Sequence, residues 1–196
     1  MMLGARTAMW SGGAKAKYKR VVSWVSFTGD FDTGIVGIIP VKARLKFDTP
    51  SMKLATNVVA VSGWVGSYPR FAILYIDSGG RFAIGRGTKY YSSSIKLRLD
   101  VVYDVTSEFS GVGSELSVDG ELVLTSANSQ TPTTTGNINI VGDANVRIRE
   151  FDLYVSGNKV RSFIPVLDEN DIPCLYDAVM DECVYGGGTA SYGDDI

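Results

Sequence analysis

Carboxylates are the only side chains of this 196-residue chain with an obvious capacity for acid–base catalysis, because it contains no histidine. A Ser-His-Asp triad, an H-E-x-x-H zinc site and any imidazole base are excluded, and two cysteines cannot make a four-cysteine zinc site. Cleaving a glycosidic bond takes two carboxyl groups flanking it. One way to supply them is E-x-D-x-x-E along a strand, where alternation turns the acids to the face that holds the sugar. The nearest approach here is Glu115-Leu-Ser-Val-Asp119-Gly-Glu121. Asp119 falls in an Asp-Gly turn and Glu121 begins the next strand, so these acids read as a solvated hairpin, and no catalytic residue and no enzyme are expected. Asp30, Asp32 and the Asp168-to-Asp171 cluster offer hard oxygen ligands, but no spacing matches a D-x-D-x-D-G loop. The first two read as a tight turn using Gly34 and the cluster as a solvated linker, with no metal and no cofactor expected.

Binding chemistry is better represented than catalysis. Sugar sites set aromatic faces against C–H surfaces, and the chain has three Trp, ten Tyr and eight Phe. Phe47, Phe71, Phe82, Phe151 and Phe163 sit in strand-like runs, where burial is the default. Trp64 and Tyr68, in the Gly63-to-Pro69 loop, and Tyr90 and Tyr91, ahead of Ser92-Ser-Ser94, are the candidate ligand-binding residues, since loops on a rigid scaffold concentrate binding groups. For each taken singly, folding back over the core edge is the favoured reading over a stacking platform. Cys174 and Cys183 flank the Leu175-to-Glu182 turn and could face each other across it. Free thiols are expected in reducing surroundings, a disulfide being the alternative.

The elements that must position these residues are strands. Val41, Ala43, Leu45 and Phe47 alternate with Lys42, Arg44 and Lys46, the period-two pattern of a half-buried strand with a solvated cationic face. Ile95, Leu97, Leu99 and Val101 repeat it against Lys96, Arg98 and Asp100. Residues 57–62, 70–76 and 81–84 are apolar, β-branched or aromatic runs bounded by turn chemistry. Asp119-Gly120 predicts a type I′ hairpin, Ser156-Gly157-Asn158 a second, and the polar run 125–136 a surface loop. No helical period persists beyond a turn. About twelve short strands on one core suggest two packed sheets.

The ends of the chain carry a resemblance. Tyr154-Val-Ser-Gly157 is followed by Val160-Arg-Ser-Phe-Ile-Pro165, then Leu175-Tyr-Asp-Ala-Val179, then Tyr185-Gly-Gly-Gly-Thr189. This order, Y-x-x-G, V-R-x-F-x-P, L-Y-D-x-V and a closing Y…G-T that is one residue shorter here, resembles the end of laminin G-like, concanavalin A-like jelly-roll domains of gut bacteria and their phages. Phe31-Asp-Thr-Gly-Ile35 is similar to that family's opening I-D-T-G-I turn, with Phe31 replacing the first Ile. The resemblance spans roughly residues 21 to 192, and its middle matches only by pattern. It implies an all-β, two-sheet antiparallel jelly-roll sandwich of the concanavalin A-like lectin/glucanase type. Function follows less directly, because this sandwich hosts lectins, glycanases, adhesion modules and virion parts alike.

Residues 1–20 read as an N-terminal arm and 21–196 as one jelly-roll domain. The arm lacks either period and holds Met9 and Trp10, which are unfavourable to leave in water and are the candidate partner-binding residues. Nineteen basic against twenty-one acidic residues leave a net charge of −2, so no global field favours nucleic acid. No run of eighteen apolar residues predicts membrane insertion, and the first residues lack a secretory h-region. The expected function is a non-enzymatic structural or adhesion module. It would be a phage virion protein, assembled in the host cytoplasm, holding virion or self subunits and binding host-surface or mucosal glycans. The alternative is a bacterial carbohydrate-binding protein of the laminin G-like type, surface-bound or secreted, with a glycanase third.

Overall fold

The computed structural model describes residues 17–37, 39–61, 70–87, 89–130, 136–142 and 145–196. Met9, Trp10, Trp64 and Tyr68 lie outside these described residues. The described chain is built from strands, with no α-helix among them. In order they are β1 (Arg20–Val21), β2 (Val25–Phe27), β3 (Phe31–Val36), β4 (Val41–Asp48), β5 (Thr56–Val61) and β6 (Arg70–Ile76). Next come β7 (Arg81–Gly87), β8 (Lys89–Lys96), β9 (Tyr103–Phe109), β10 (Ser114–Val118), β11 (Glu121–Ser126) and β12 (Asn137–Ile140). The chain closes with β13 (Arg147–Val155), β14 (Asn158–Leu167), β15 (Pro173–Asp177), β16 (Glu182–Val184) and β17 (Ala190–Tyr192).

These strands form two antiparallel sheets. The larger runs β11-β10-β9-β4-β13-β14-β15-β16, with β1 on β14 and with β2 bridging β13 and β17; the smaller is six-stranded, β3-β12-β5-β6-β7-β8. Alternation decides which residues meet between them. Val41, Ala43, Leu45 and Phe47 are each 3% exposed or less, while Lys42, Arg44 and Lys46 face outward. The aromatic pairs Phe31–Phe163, Phe82–Phe47 and Phe71–Phe109 cross from the small sheet to the large one at 5.1, 6.5 and 4.7 Å between ring centroids. Burial of each such side chain contributes roughly 1.5–3 kcal/mol. The fold is an all-β, jelly-roll-like sandwich with its core between the sheets.

Both expected hairpins are present. Asp119 and Gly120 take φ values of 52° and 85°, and Ser156 and Gly157 take 50° and 82°, the two positive angles that a type I′ turn demands. Four expectations are corrected. The Ile95-to-Val101 alternation does not make a strand: β8 ends at Lys96, and Leu99 and Val101 are 53% and 40% exposed. Asp100 there takes φ 56° and donates its N–H to the Thr49 carbonyl, so the chain turns. Phe31 to Gly34 lie in strand β3, with Gly34 at φ 68° inside it, where a tight turn was expected. Tyr90 and Tyr91 lie in strand β8 and not in a loop. Asp168 is no solvated linker residue, being 7% exposed with Oδ1 accepting the N–H groups of Asn170 and Ile172 in the β14–β15 turn.

Candidate functional site

The outer face of the six-stranded sheet brings together the groups best suited to binding. One register row crosses every strand of that sheet: Asp32, Asn139, Ala60, Ala72, Gly85, Tyr90. Its neighbour runs Asn57, Tyr75, Ala83, Ser92. Alternation against the core fixes this face, because Ile138, Ile140, Phe82, Ile84 and Tyr91 belong to the hydrophobic core between the sheets. The middle of the row is small. A side chain at Gly85 would stand 2.7 Å from the Tyr90 ring and 3.1 Å from the Ala72 methyl, so glycine is what lets that ring lie close to the sheet. Tyr75 stacks on Tyr90 at 4.2 Å between centroids and 25° between planes.

At the other end of the row the chemistry is polar. Asn139 is 8% exposed and its Oδ1 accepts no hydrogen bond among the described residues; the buried Oδ1 of Asn57 is in the same position. Asp32 accepts from the Gly34 N–H at 2.8 Å and from Asn137 Nδ2 at 2.6 Å. The face therefore joins an aromatic pair, a floor of alanine and glycine and two buried acceptors without donors. Strand spacing of about 4.8 Å places Asn139 roughly 19 Å from Tyr90, across four strand intervals.

At the end of the sheet, Asp77 anchors the β6–β7 turn. Burial alone would raise its pKa, but hydrogen bonds from Ser92, Arg81 and Gly79 outweigh that and hold it at about 2. Its Oδ1 accepts the N–H groups of Gly79 and Arg81, and its Oδ2 accepts Arg81 Nε at 2.8 Å. Ser92 on β8 is thereby tied to the turn that aligns β6 and β7.

Of the sequence candidates, Tyr90 lies on this face. Tyr91 points the other way and packs against the core. Tyr75, Asn57 and Asn139 were missed. The alternation Asn137-Ile-Asn-Ile140 is the signal that could have found Asn139, since it puts two amides on one side of a strand whose other side is buried.

The candidate acids lie on the larger sheet. Asp119 sits in its turn, its Oδ1 accepting the Asp104 N–H at 2.9 Å. Glu115 is opposite Glu108 in the β9–β10 register, and both line an open cleft of about 360 Å³ with Ser110, Ser114 and Thr125. Glu108 is also 3.4 Å from Lys42. The other outward cations of β4 are matched likewise, Arg44 by Asp104 and Lys46 by Glu150. Glu115, Asp119 and Glu121 thus do not converge on one point.

No protein-family model and no curated protein sequence matches this chain. Among solved structures, it is similar to a Bacteroides ovatus protein described as a candidate carbohydrate-binding protein, with a TM-score of 0.61 at 12% identity, over 90% of this chain and 61% of that one. It also resembles a mutant Trypanosoma rangeli sialidase displaying trans-sialidase activity, with a TM-score of 0.51 at 16% identity, over 74% of this chain and 27% of that one. The chain spans less than two thirds of either structure, and at these identities the likeness concerns the fold.

Proposed function

We propose that this sandwich is a non-enzymatic glycan-binding module that takes a saccharide on the outer face of its six-stranded sheet. The observation that carries this reading is the stacked Tyr75–Tyr90 pair set in one face with the undonated amide oxygens of Asn57 and Asn139. A sugar offers both complements: C–H surfaces for the rings and hydroxyl donors for the oxygens. A buried acceptor without a partner costs about 1–3 kcal/mol, which a ligand hydroxyl would offset once the side chains covering it move aside. The roughly 19 Å from Asn139 to Tyr90 suits an oligosaccharide better than a single ring. The description of the Bacteroides ovatus neighbour agrees with this reading.

The laminin G-like subtype is carried by the sequence ends. A place in a virion, with Met9 and Trp10 holding neighbouring subunits, is a further proposal that glycan binding does not require.

The test is a panel of soluble β-glucan and mucin-type oligosaccharides, screened for binding and for release of reducing ends. Binding without turnover is expected, weakened at least about tenfold, or about 1.4 kcal/mol, by Tyr90→Ala. Saccharide binding unaffected by Tyr90→Ala and Tyr75→Ala would place the ligand elsewhere. Reducing-end release lost in Glu115→Gln would make the protein a glycanase.

A further inference from the structure

A second feature, on the opposite side of the molecule and independent of glycan binding, concerns the two cysteines. Tyr176 pairs with Cys183 and Leu175 with Val184 across β15 and β16. Leu175 enters the main core, so Cys174, Tyr176 and Cys183 share the outer face of the large sheet. There they form a small cluster with Val166, packed against Tyr18, Val21 and Ile164. Cys174 is fully buried and Cys183 partly so; both are free, and the register makes them diagonal neighbours on one face of the β15–β16 pair.

What covers them is the segment leading into β1. The Cys183 thiol donates to the Lys17 carbonyl at 3.7 Å, and the Tyr18 ring lies 4.8 Å from that of Tyr176. Lys17 pairs with Asp181 at 3.1 Å, and the Lys19 N–H donates to the Leu167 carbonyl at 2.9 Å. Those polar contacts lie at the rim, where water competes for them, so this short segment can open without loss of the main core. Burial raises both thiol pKa values, so while the segment is docked the thiolate needed for exchange is scarce.

We propose that Cys174 and Cys183 are a thiol–disulfide redox pair gated by the segment Lys17–Val21, closing by exchange with a low-molecular-weight disulfide. When the segment lifts, the Cys183 thiolate attacks one sulfur of the small disulfide and expels one thiolate. Cys174, as thiolate, then attacks the Cys183 sulfur of the mixed disulfide and expels the second. The protein loses two protons and two electrons, and one small disulfide takes them up to become two thiols. The new bond ties β15 to β16 across their turn.

The experiment incubates the full chain, and separately its Tyr18→Ala and Cys174→Ser variants, with oxidised glutathione, following intact mass and non-reducing peptide maps over time. The wild type is expected to lose two hydrogens with Cys174 joined to Cys183, and Tyr18→Ala to do so at least about fivefold faster. Cys174→Ser should instead accumulate one glutathione on Cys183. The oxidised wild type should melt roughly 5 °C higher than the reduced form. A stable glutathione adduct on wild-type Cys183 with no internal bond would overturn the pairing, as would no reaction in either wild type or Tyr18→Ala. Equal rates in those two would overturn the gate.

Discussion

Asn139 separates a binding role from a structural one more sharply than any other residue of the face. A buried amide oxygen without a donor weakens the unliganded fold, so removing it relieves a cost while removing a contact to the ligand. Asn139→Leu is therefore expected to leave the melting temperature unchanged or raise it, while saccharide affinity falls at least about tenfold. Calorimetry and a binding titration on the same preparation check this; a large loss of stability would assign Asn139 to the framework. Asp77 should behave in the opposite way. Its folded pKa of about 2 lies below the ordinary value of 3.8, so its contribution to stability is fully present above the unfolded value and is lost as pH falls through about 2. Asp77→Asn should accordingly destabilise the protein at neutral pH, and that difference should shrink between about pH 4 and pH 2 in melting curves.

Strands and turns account for most of what was legible in advance. The β4 alternation, the Asp119-Gly120 and Ser156-Gly157 hairpins and the β6 boundaries could be read because each rests on local chemistry, a period of two or a positive φ. Leu97 to Val101 shows the limit. Its alternation is as regular as that of β4, yet Asp100 turns the chain toward Thr49, a partner distant in sequence. The candidate site was half legible for the same reason. Tyr90 could be singled out as an aromatic, but its stacking on Tyr75 depends on a bulge in β6–β7 and on Gly85 lying beneath it. The register row joining Asp32 to Tyr90 spans six strands drawn from across the chain, which no local pattern encodes. At this scale Phe163 on β14 is the most informative position, since it contacts both Phe31 of the small sheet and Phe151 of the large one. Phe163→Ala should cost about 3–5 kcal/mol, read from urea unfolding, and a cost below about 1 kcal/mol would mean that the two sheets are held together elsewhere.

The whole molecule presents two different outer faces. The larger sheet turns out matched charges, Lys42 with Glu108, Arg44 with Asp104 and Lys159 with Asp152, a solvated surface whose pairs contribute little individually. The six-stranded sheet turns out stacked rings and small residues, with the undonated oxygens of Asn57 and Asn139 buried among them. If residues 1–20 hold a partner, deleting 1–16 should leave the sandwich folded and reduce self-association, measured by light scattering; unchanged assembly would make that segment dispensable. The measurement that tests the central claim most directly is a backbone amide NMR titration with an oligosaccharide chosen from the binding panel. Binding on the proposed face predicts saturable shifts concentrated in Phe31–Val36, Thr56–Val61, Arg70–Ile76, Arg81–Gly87, Lys89–Lys96 and Asn137–Ile140, abolished by Tyr90→Ala. Shifts centred on Glu108, Glu115 and the strands of the larger sheet, and unchanged by Tyr90→Ala, would contradict it.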